Sequence, residues 1–363
     1  MLYPLSLQVG RAGNSPLASG RMEPRRVASL PKVLLHDHLD GGLRPGTVVD
    51  LAAAGGYRGL PEPDAAGLRA WFHQAGADSL EDYLDAFAHT FGVMQTPEAM
   101  HRVAYEALED LARDGVVYAE IRFAPSLHIA GGMTRADAIA AVLAGLAEAE
   151  AAFGTPGRVI VDALRQQDDS VEVAKAASEF AGLGVVGLDL AGPEAGFPPA
   201  THRQAIEIAR AGGLHLTIHA GEGDGVGSIA GALACGAERI GHGVRIIEDT
   251  IVQDGRIVGL GPVAREVHER RIPLEICPTS NLDTRMYPSA AEHPIGMLHR
   301  AGFAVTINTD NRLMSATSMG QEFALVAEHC GIQVEDLQVI TRTAVQAAFC
   351  DEDTRLAVAT RVG

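Results

Sequence analysis

Two histidines one residue apart, His36 and His38, open the run His36-Asp37-His38-Leu39-Asp40-Gly41. Alternate side chains of an extended strand share a face, so both imidazoles point the same way and Asp40 follows them. Three later apolar runs close in a similar manner, in Ile218-His219-Ala220-Gly221-Glu222, Gly241-His242-Gly243 and Asn308-Thr309-Asp310. Neutral imidazoles with a carboxylate are the donor set of zinc or a similar divalent ion, with one position left open for water. One histidine pair alone suits a satisfied core as well as a metal. Four such ends in one chain favour metal-assisted hydrolysis.

Something must bring those ends together. Short apolar, β-branched runs alternate with longer helical patterns, the mark of repeated βα units. Eight runs read as strands: Lys32 to Leu39, Val116 to Pro125, Arg158 to Leu164, Val185 to Gly192, Leu214 to Glu222, Arg239 to Val244, Ile272 to Thr279 and Phe303 to Asp310. Their near-continuous hydrophobicity fits parallel strands buried on both sides. The expected fold is an α/β protein, a (β/α)8 TIM barrel, whose reactive groups collect at the carboxyl ends of the strands. Thr47 to Arg113 is too long for one crossover. It reads as a helical insertion after the first strand, including an amphipathic run from Leu80 through Met94, and such an insertion lies over the catalytic mouth.

The runs around His36 and His38, Ala119-Glu120-Ile121-Arg122-Phe123-Ala124-Pro125, Gly187-Leu188-Asp189-Leu190-Ala191-Gly192, His219-Ala220-Gly221-Glu222, Gly241-His242-Gly243 and Asn308-Thr309-Asp310 together resemble the adenosine deaminase family of the amidohydrolase superfamily. The resemblance spans roughly residues 31 to 350 in order and spacing, which no single motif could match in specificity. It implies that His36, His38, His219 and Asp310 bind one zinc ion per chain. It assigns Glu222 as the proton donor to the purine ring nitrogen and His242 as the group that orients or deprotonates the attacking water. Asp40 would bind a sugar hydroxyl, and the Gly192 amide a ring nitrogen. The implied reaction is hydrolytic deamination of adenosine or 2′-deoxyadenosine to inosine or 2′-deoxyinosine plus ammonia. Alternatives are another aminopurine (adenine, a futalosine-type or modified nucleoside) or a silent nucleoside-binding paralogue. The chain departs from the family pattern where Asn311 replaces a second acid, and an Asn amide can donate to a purine acceptor without first being protonated. The glycine-rich stretch Gly223 to Ser228 bears on substrate preference.

Bulk composition narrows the partners. In 363 residues, a formal charge of −17 and 5% aromatics disfavour phosphate backbones, anionic membranes and base-stacking platforms. A small purine nucleoside is the expected partner, with neither nucleic acid nor membrane. Hydrophobic content of 47% and 41 glycines fit one large domain with many tight loops, expected over residues 29–363 after a loose arm at 1–28. Cys235, Cys277, Cys330 and Cys350 show no metal-ribbon or paired spacing, which points to a reduced, cytoplasmic protein. Glu120 and Arg122 are expected to form a buried structural pair, Arg245 a surface salt bridge, and Cys277 to line the barrel. Ser280 or Asn281 is expected near the ligand. His73, His89, His101, His128, His268, His293 and His299 are expected to be ordinary surface or packing residues.

Overall fold

Each of the eight apolar runs forms a strand in the computed structural model, which describes residues 24–73 and 86–363. The strands are β1 (Lys32–His38), β2 (Val116–Phe123), β3 (Gly157–Leu164), β4 (Val185–Ala191), β5 (His215–Ala220), β6 (Arg239–His242), β9 (Leu274–Ile276) and β10 (Val305–Ile307). β7 (Thr250–Gln253) and β8 (Arg256–Leu260) form a separate antiparallel hairpin. The eight pair in parallel in the order β1-β2-β3-β4-β5-β6-β9-β10. A parallel bridge between Asp37 and Asp310 links the two outermost strands at their carboxyl ends, with the His38 N–H donating to the Asp310 carbonyl at 2.7 Å. The side chain of Asn308 adds a further link, its Oδ1 accepting from the Leu35 N–H at 2.9 Å.

Seven of the eight runs overshoot their strands at the carboxyl end by one to three residues. Those extra residues form the loops at the mouth, where a TIM barrel builds its chemistry. The hairpin was not foreseen, although Asp254-Gly255, with φ of 49° and 70°, is the dipeptide a tight type I′ turn requires.

Outside the barrel, apolar residues of the strands and the surrounding helices fill one large core cluster. A smaller one packs Val33, Leu35, Val117 and Tyr118 against residues of the helices Val334–Ala347 and Glu352–Val362. The interior carries charge instead. Arg122 meets Asp189 and Glu275 at 2.7 Å each, and Arg239 meets Glu120 and Glu275 at 2.6 Å each, all essentially inaccessible to solvent. Glu120 and Arg122 are therefore buried as expected but paired with other residues rather than with each other. A network this dry holds because every charge has an opposite partner, and deleting one partner would strand the others.

The insertion supplies helices Pro45–Gly55, Ala65–Phe72, Phe87–Val93 and Pro97–Arg113, the last capped by Thr96. Residues 80–85 of the expected amphipathic run, and 1–23 of the expected arm, lie outside the described residues. The end of that arm is not loose: Pro24–Ala28 is helical and Val27 is buried. Among the described residues no helix is long and apolar enough to cross a membrane.

Candidate active site

β1 delivers His36 and His38 to the mouth on one face, β5 delivers His219, β6 ends at His242, and Asp310 follows β10. The rings crowd together, with centroids 4.6 Å apart for His36 and His219 and 4.9 Å for His36 and His242. Gly241 permits this, because a Cβ there would lie 3.1 Å from the His219 Cα and 3.3 Å from the His36 Cε1. His242 and Asp310 adopt φ of 57° and 59°, the left-handed region that non-glycine residues enter at a cost and that gathers at functional sites.

Donor atoms of His36, His219, His242 and Asp310 lie within 4.8 Å of one another. His38 faces the same centre, its Nε2 3.3 Å from His219 Nε2 and 3.5 Å from Asp310 Oδ1. What surrounds these groups fixes their protons. His36 Nδ1 meets Glu275 at 3.0 Å, His38 Nδ1 meets Asp162 at 3.2 Å, and His219 Nδ1 meets Asp189 at 2.8 Å. Each Nδ1 thus faces a carboxylate, and each imidazole in its neutral form keeps its Nε2 lone pair aimed inward. Ser280 Oγ donates to Asp310 Oδ2 at 2.6 Å and leaves Oδ1 facing the same point. The buried His36 Nε2 then sits 3.3 Å from Asp310 Oδ1, one acceptor against another, with no hydrogen-bond partner. Acceptors converging in a buried place repel unless a cation lies between them, so this donor set fits a metal ion.

Burial, with the charges of Asp310 and Glu194 adding to it, raises the Glu222 carboxyl well above its ordinary range. Burial likewise holds His242 well below the usual imidazole value, so it is neutral. The two meet at 3.3 Å, His242 Nε2 to Glu222 Oε2. A protonated carboxyl beside a neutral imidazole is a placed general acid. Beside them opens a cavity of about 250 Å³, lined by His38, Asp40, Gly192, His219, Glu222, His242, Asp310 and Asn311, with Phe87 and Phe91 contributed by the insertion. All nine residues expected at the site, the eight with His36 behind them, are thus gathered at one mouth. Gly192 has φ of 88°, and a Cβ there would lie 2.4 Å from Gln166 Oε1. Asn311 turns its Oδ1 against Gly41, whose added Cβ would lie 2.0 Å away, and lines the cavity beside it.

Several contributors were not singled out from sequence. Asp162, Asp189 and Glu275 orient the three histidines, and each had one signal, a lone carboxylate in an apolar strand. Glu194 accepts three successive backbone N–H groups under Glu222. His128 is fully buried, donates Nδ1–H to the Met94 carbonyl at 3.0 Å, and brings Nε2 to 3.7 Å from Asp40 Oδ2. His293 is buried beside Asn281, not at the surface. Arg245 pairs with Glu248 on the exterior, as expected, and Cys277 is buried directly after β9. All four cysteines are free.

The family profile described as adenosine deaminase matches residues 31–363. Adenosine deaminase 1 of Streptomyces coelicolor is 49% identical over 360 residues, covering 97% of this chain and 91% of that protein. Among solved structures, an adenine deaminase from Arthrobacter aurescens superposes with a TM-score of 0.81 at 26% identity, covering 92% of this chain and 98% of its own. A zinc-bound amidohydrolase from Burkhoderia ambifaria gives 0.80 at 26% identity, covering 97% and 96%.

Proposed function

Because the chain belongs to the adenosine deaminase family, hydrolases that act on the C–N bond of a cyclic amidine, we propose that it deaminates adenosine and 2′-deoxyadenosine with one zinc ion held by His36, His38, His219 and Asp310. The observation that carries the metal set is the shared orientation of its histidines, each with Nδ1 against a carboxylate at 2.8–3.2 Å and Nε2 aimed at Asp310 Oδ1 or a neighbouring imidazole. His242 lies equally near but differs in kind. Its Nδ1 faces the amide of Asn281 rather than a carboxylate, so it stays outside the set and His38 completes it. Such an ion, when bound, supplies an acidified water as nucleophile near neutral pH.

The chain's own residues supply the rest. Adenosine seats its ring between Gly192 and Asn311, with the Asn311 Nδ2 donating to a ring acceptor and Asp40 accepting from a sugar hydroxyl. Attack at the amino-bearing carbon moves electrons onto the adjacent ring nitrogen, and Glu222 protonates that nitrogen. Kept neutral by burial, it can do so at neutral pH. The new hydroxyl's proton passes to the amino group, the C–N bond breaks and ammonia leaves, and the proton shed by the attacking water restores Glu222. Phe87 and Phe91 enclose the ring and exclude water.

The cavity favours a nucleoside over a nucleotide. None of its described lining residues is Lys or Arg, while Asp40, Asp162 and Asp310 contribute three carboxylates hostile to phosphate. Residues 29–363 act as one hydrolase domain in this reading. The test is a panel of adenosine, 2′-deoxyadenosine, adenine, AMP and N6-methyl-AMP on zinc-loaded protein, followed by ammonia release and the ultraviolet change. Turnover of the two nucleosides far above the rest is expected. Full activity on adenine or a nucleotide with none on adenosine overturns the reading.

A further inference from the structure

A hydrogen-bonded chain runs to His242 from outside the site, and its direction is fixed at one end. The Ile295 N–H, which can only donate, reaches His293 Nδ1 at 3.2 Å. Nδ1 therefore accepts. A neutral imidazole carries one hydrogen, so it must sit on Nε2, which lies 3.3 Å from Asn281 Oδ1. The other branch of that amide, Nδ2, lies 3.2 Å from His242 Nδ1 and 3.4 Å from Met286 Sδ.

The reverse orientation fails. Turning the Asn281 amide over would present Nδ2 to His293 Nε2, which would then have to accept, moving the ring hydrogen to Nδ1 against the Ile295 N–H. Two donors would face each other in a place where His293 is 3% exposed and Asn281 is fully buried. Burial also pushes the His293 pKa down to about 3, so the ring has no second hydrogen to offer.

We propose that Asn281 and His293 are positioning residues that fix His242 in the tautomer with hydrogen on Nε2, and that Glu222 in consequence carries its transferable proton on Oε1. Asn281 Nδ2 donates to His242 Nδ1, so His242 Nε2 bears the hydrogen and presents it to Glu222 Oε2, 3.3 Å away. The oxygen that faces the His242 hydrogen is not the one that carries the acidic proton, which leaves Oε1 for the substrate nitrogen. The same hydrogen blocks the Nε2 lone pair and keeps His242 from competing with His38 for the metal. The Oε1 assignment rests on Glu222 being the proton donor proposed above; the tautomer does not.

The experiment is two-bond 1H–15N correlation NMR on zinc-loaded protein labelled with 15N-histidine, with kinetics on adenosine. The His242 signal is identified by its loss in His242→Gln. Wild-type protein is expected to show a protonated, pyrrole-type Nε2 at His242. Asn281→Asp puts a carboxylate against Nδ1, so it should draw the hydrogen there, turn Nε2 pyridine-type, and lower kcat by about 10²-fold with little change in KM. His293→Leu is expected to lower kcat in the same sense. His293→Gln, which keeps a donor at the ε position, is expected to recover most of that loss. A pyridine-type Nε2 in the wild type, or wild-type tautomer and kcat in Asn281→Asp, overturns the proposal. Should His293→Leu not fold, the near-isosteric Asn281→Asp decides. The expected tautomer in protein that deaminates no aminopurine would sink the functional reading and leave this assignment of His242 standing.

Discussion

Glu194 lies beneath Glu222 and accepts its backbone N–H at 2.8 Å, along with those of Gly221 at 3.0 Å and Gly223 at 3.1 Å. Three successive amides converge on one buried carboxylate, an anion-binding nest whose anion is supplied by the protein itself. The turn is possible because Gly221 has φ of 75°. Glu194 thereby fixes where Glu222 points, and its charge also helps keep Glu222 protonated.

Glu194→Gln should disturb both effects, since an amide offers one acceptor and turns an NH₂ toward an N–H. A displacement of about 1 Å at a reacting group costs on the order of 10² in rate, and kcat is expected to fall by about that factor. Glu222 also loses a raising influence, so the alkaline limb of the pH–rate profile should move to lower pH. A variant with unchanged kcat and limb would show that the loop holds its shape without Glu194.

Glu222→Gln retains the shape of the acid and removes its proton. Turnover is expected to drop by about 10²–10⁴-fold or more, the usual worth of general acid–base assistance, while metal analysis still finds one equivalent. Near-normal turnover would remove Glu222 from the chemistry.

Asp162 and Asp310 separate orientation from ligation. Asp162→Asn should weaken metal affinity by about 10–100-fold, because the amide no longer holds the His38 tautomer as a carboxylate does. Asp310→Ala should lose the metal outright. Chelator titrations followed by metal analysis would rank them, and equal affinities in both variants would contradict the assigned roles.

The side chains gathered at the mouth were legible in the sequence because strand alternation and strand-end position are local properties. His36 and His38 share a face by their spacing alone, and the barrel frame then gathers His219, His242 and Asp310. The residues that set their protons were not legible. Glu275, on β9, reaches His36 and Arg122 across the barrel, while Asp189, on β4, reaches His219 and the same arginine. Which carboxylate meets which histidine depends on the radial order of strands far apart in the chain. Likewise nothing local ties Asn281 to His293, because the loop between them has no periodic pattern, and only the fold turns a packing histidine into a donor. The arm failed differently: it was expected to run to residue 28, but Val27 belongs to the core.

Glu322 lies away from the reacting groups and should dominate a different observable, the pH dependence of stability. It is fully buried, accepts from the Thr279 N–H at 3.0 Å and binds Thr317 Oγ1, yet burial outweighs these bonds and pushes its pKa up to about 7 from an ordinary 4.5. Because the folded value exceeds the unfolded one, its contribution is fully present below about pH 4.5. It is lost as pH rises through about 7, where the native state must ionise a buried carboxyl. A shift of this size corresponds to at most about 3 kcal/mol across that window. Glu322→Gln cannot ionise and should escape the loss. Thermal melts of both proteins at pH 5 and pH 8 are expected to show the variant gaining on the wild type as pH rises. A Tm difference that stays constant between the two would show that Glu322 remains in one protonation state throughout.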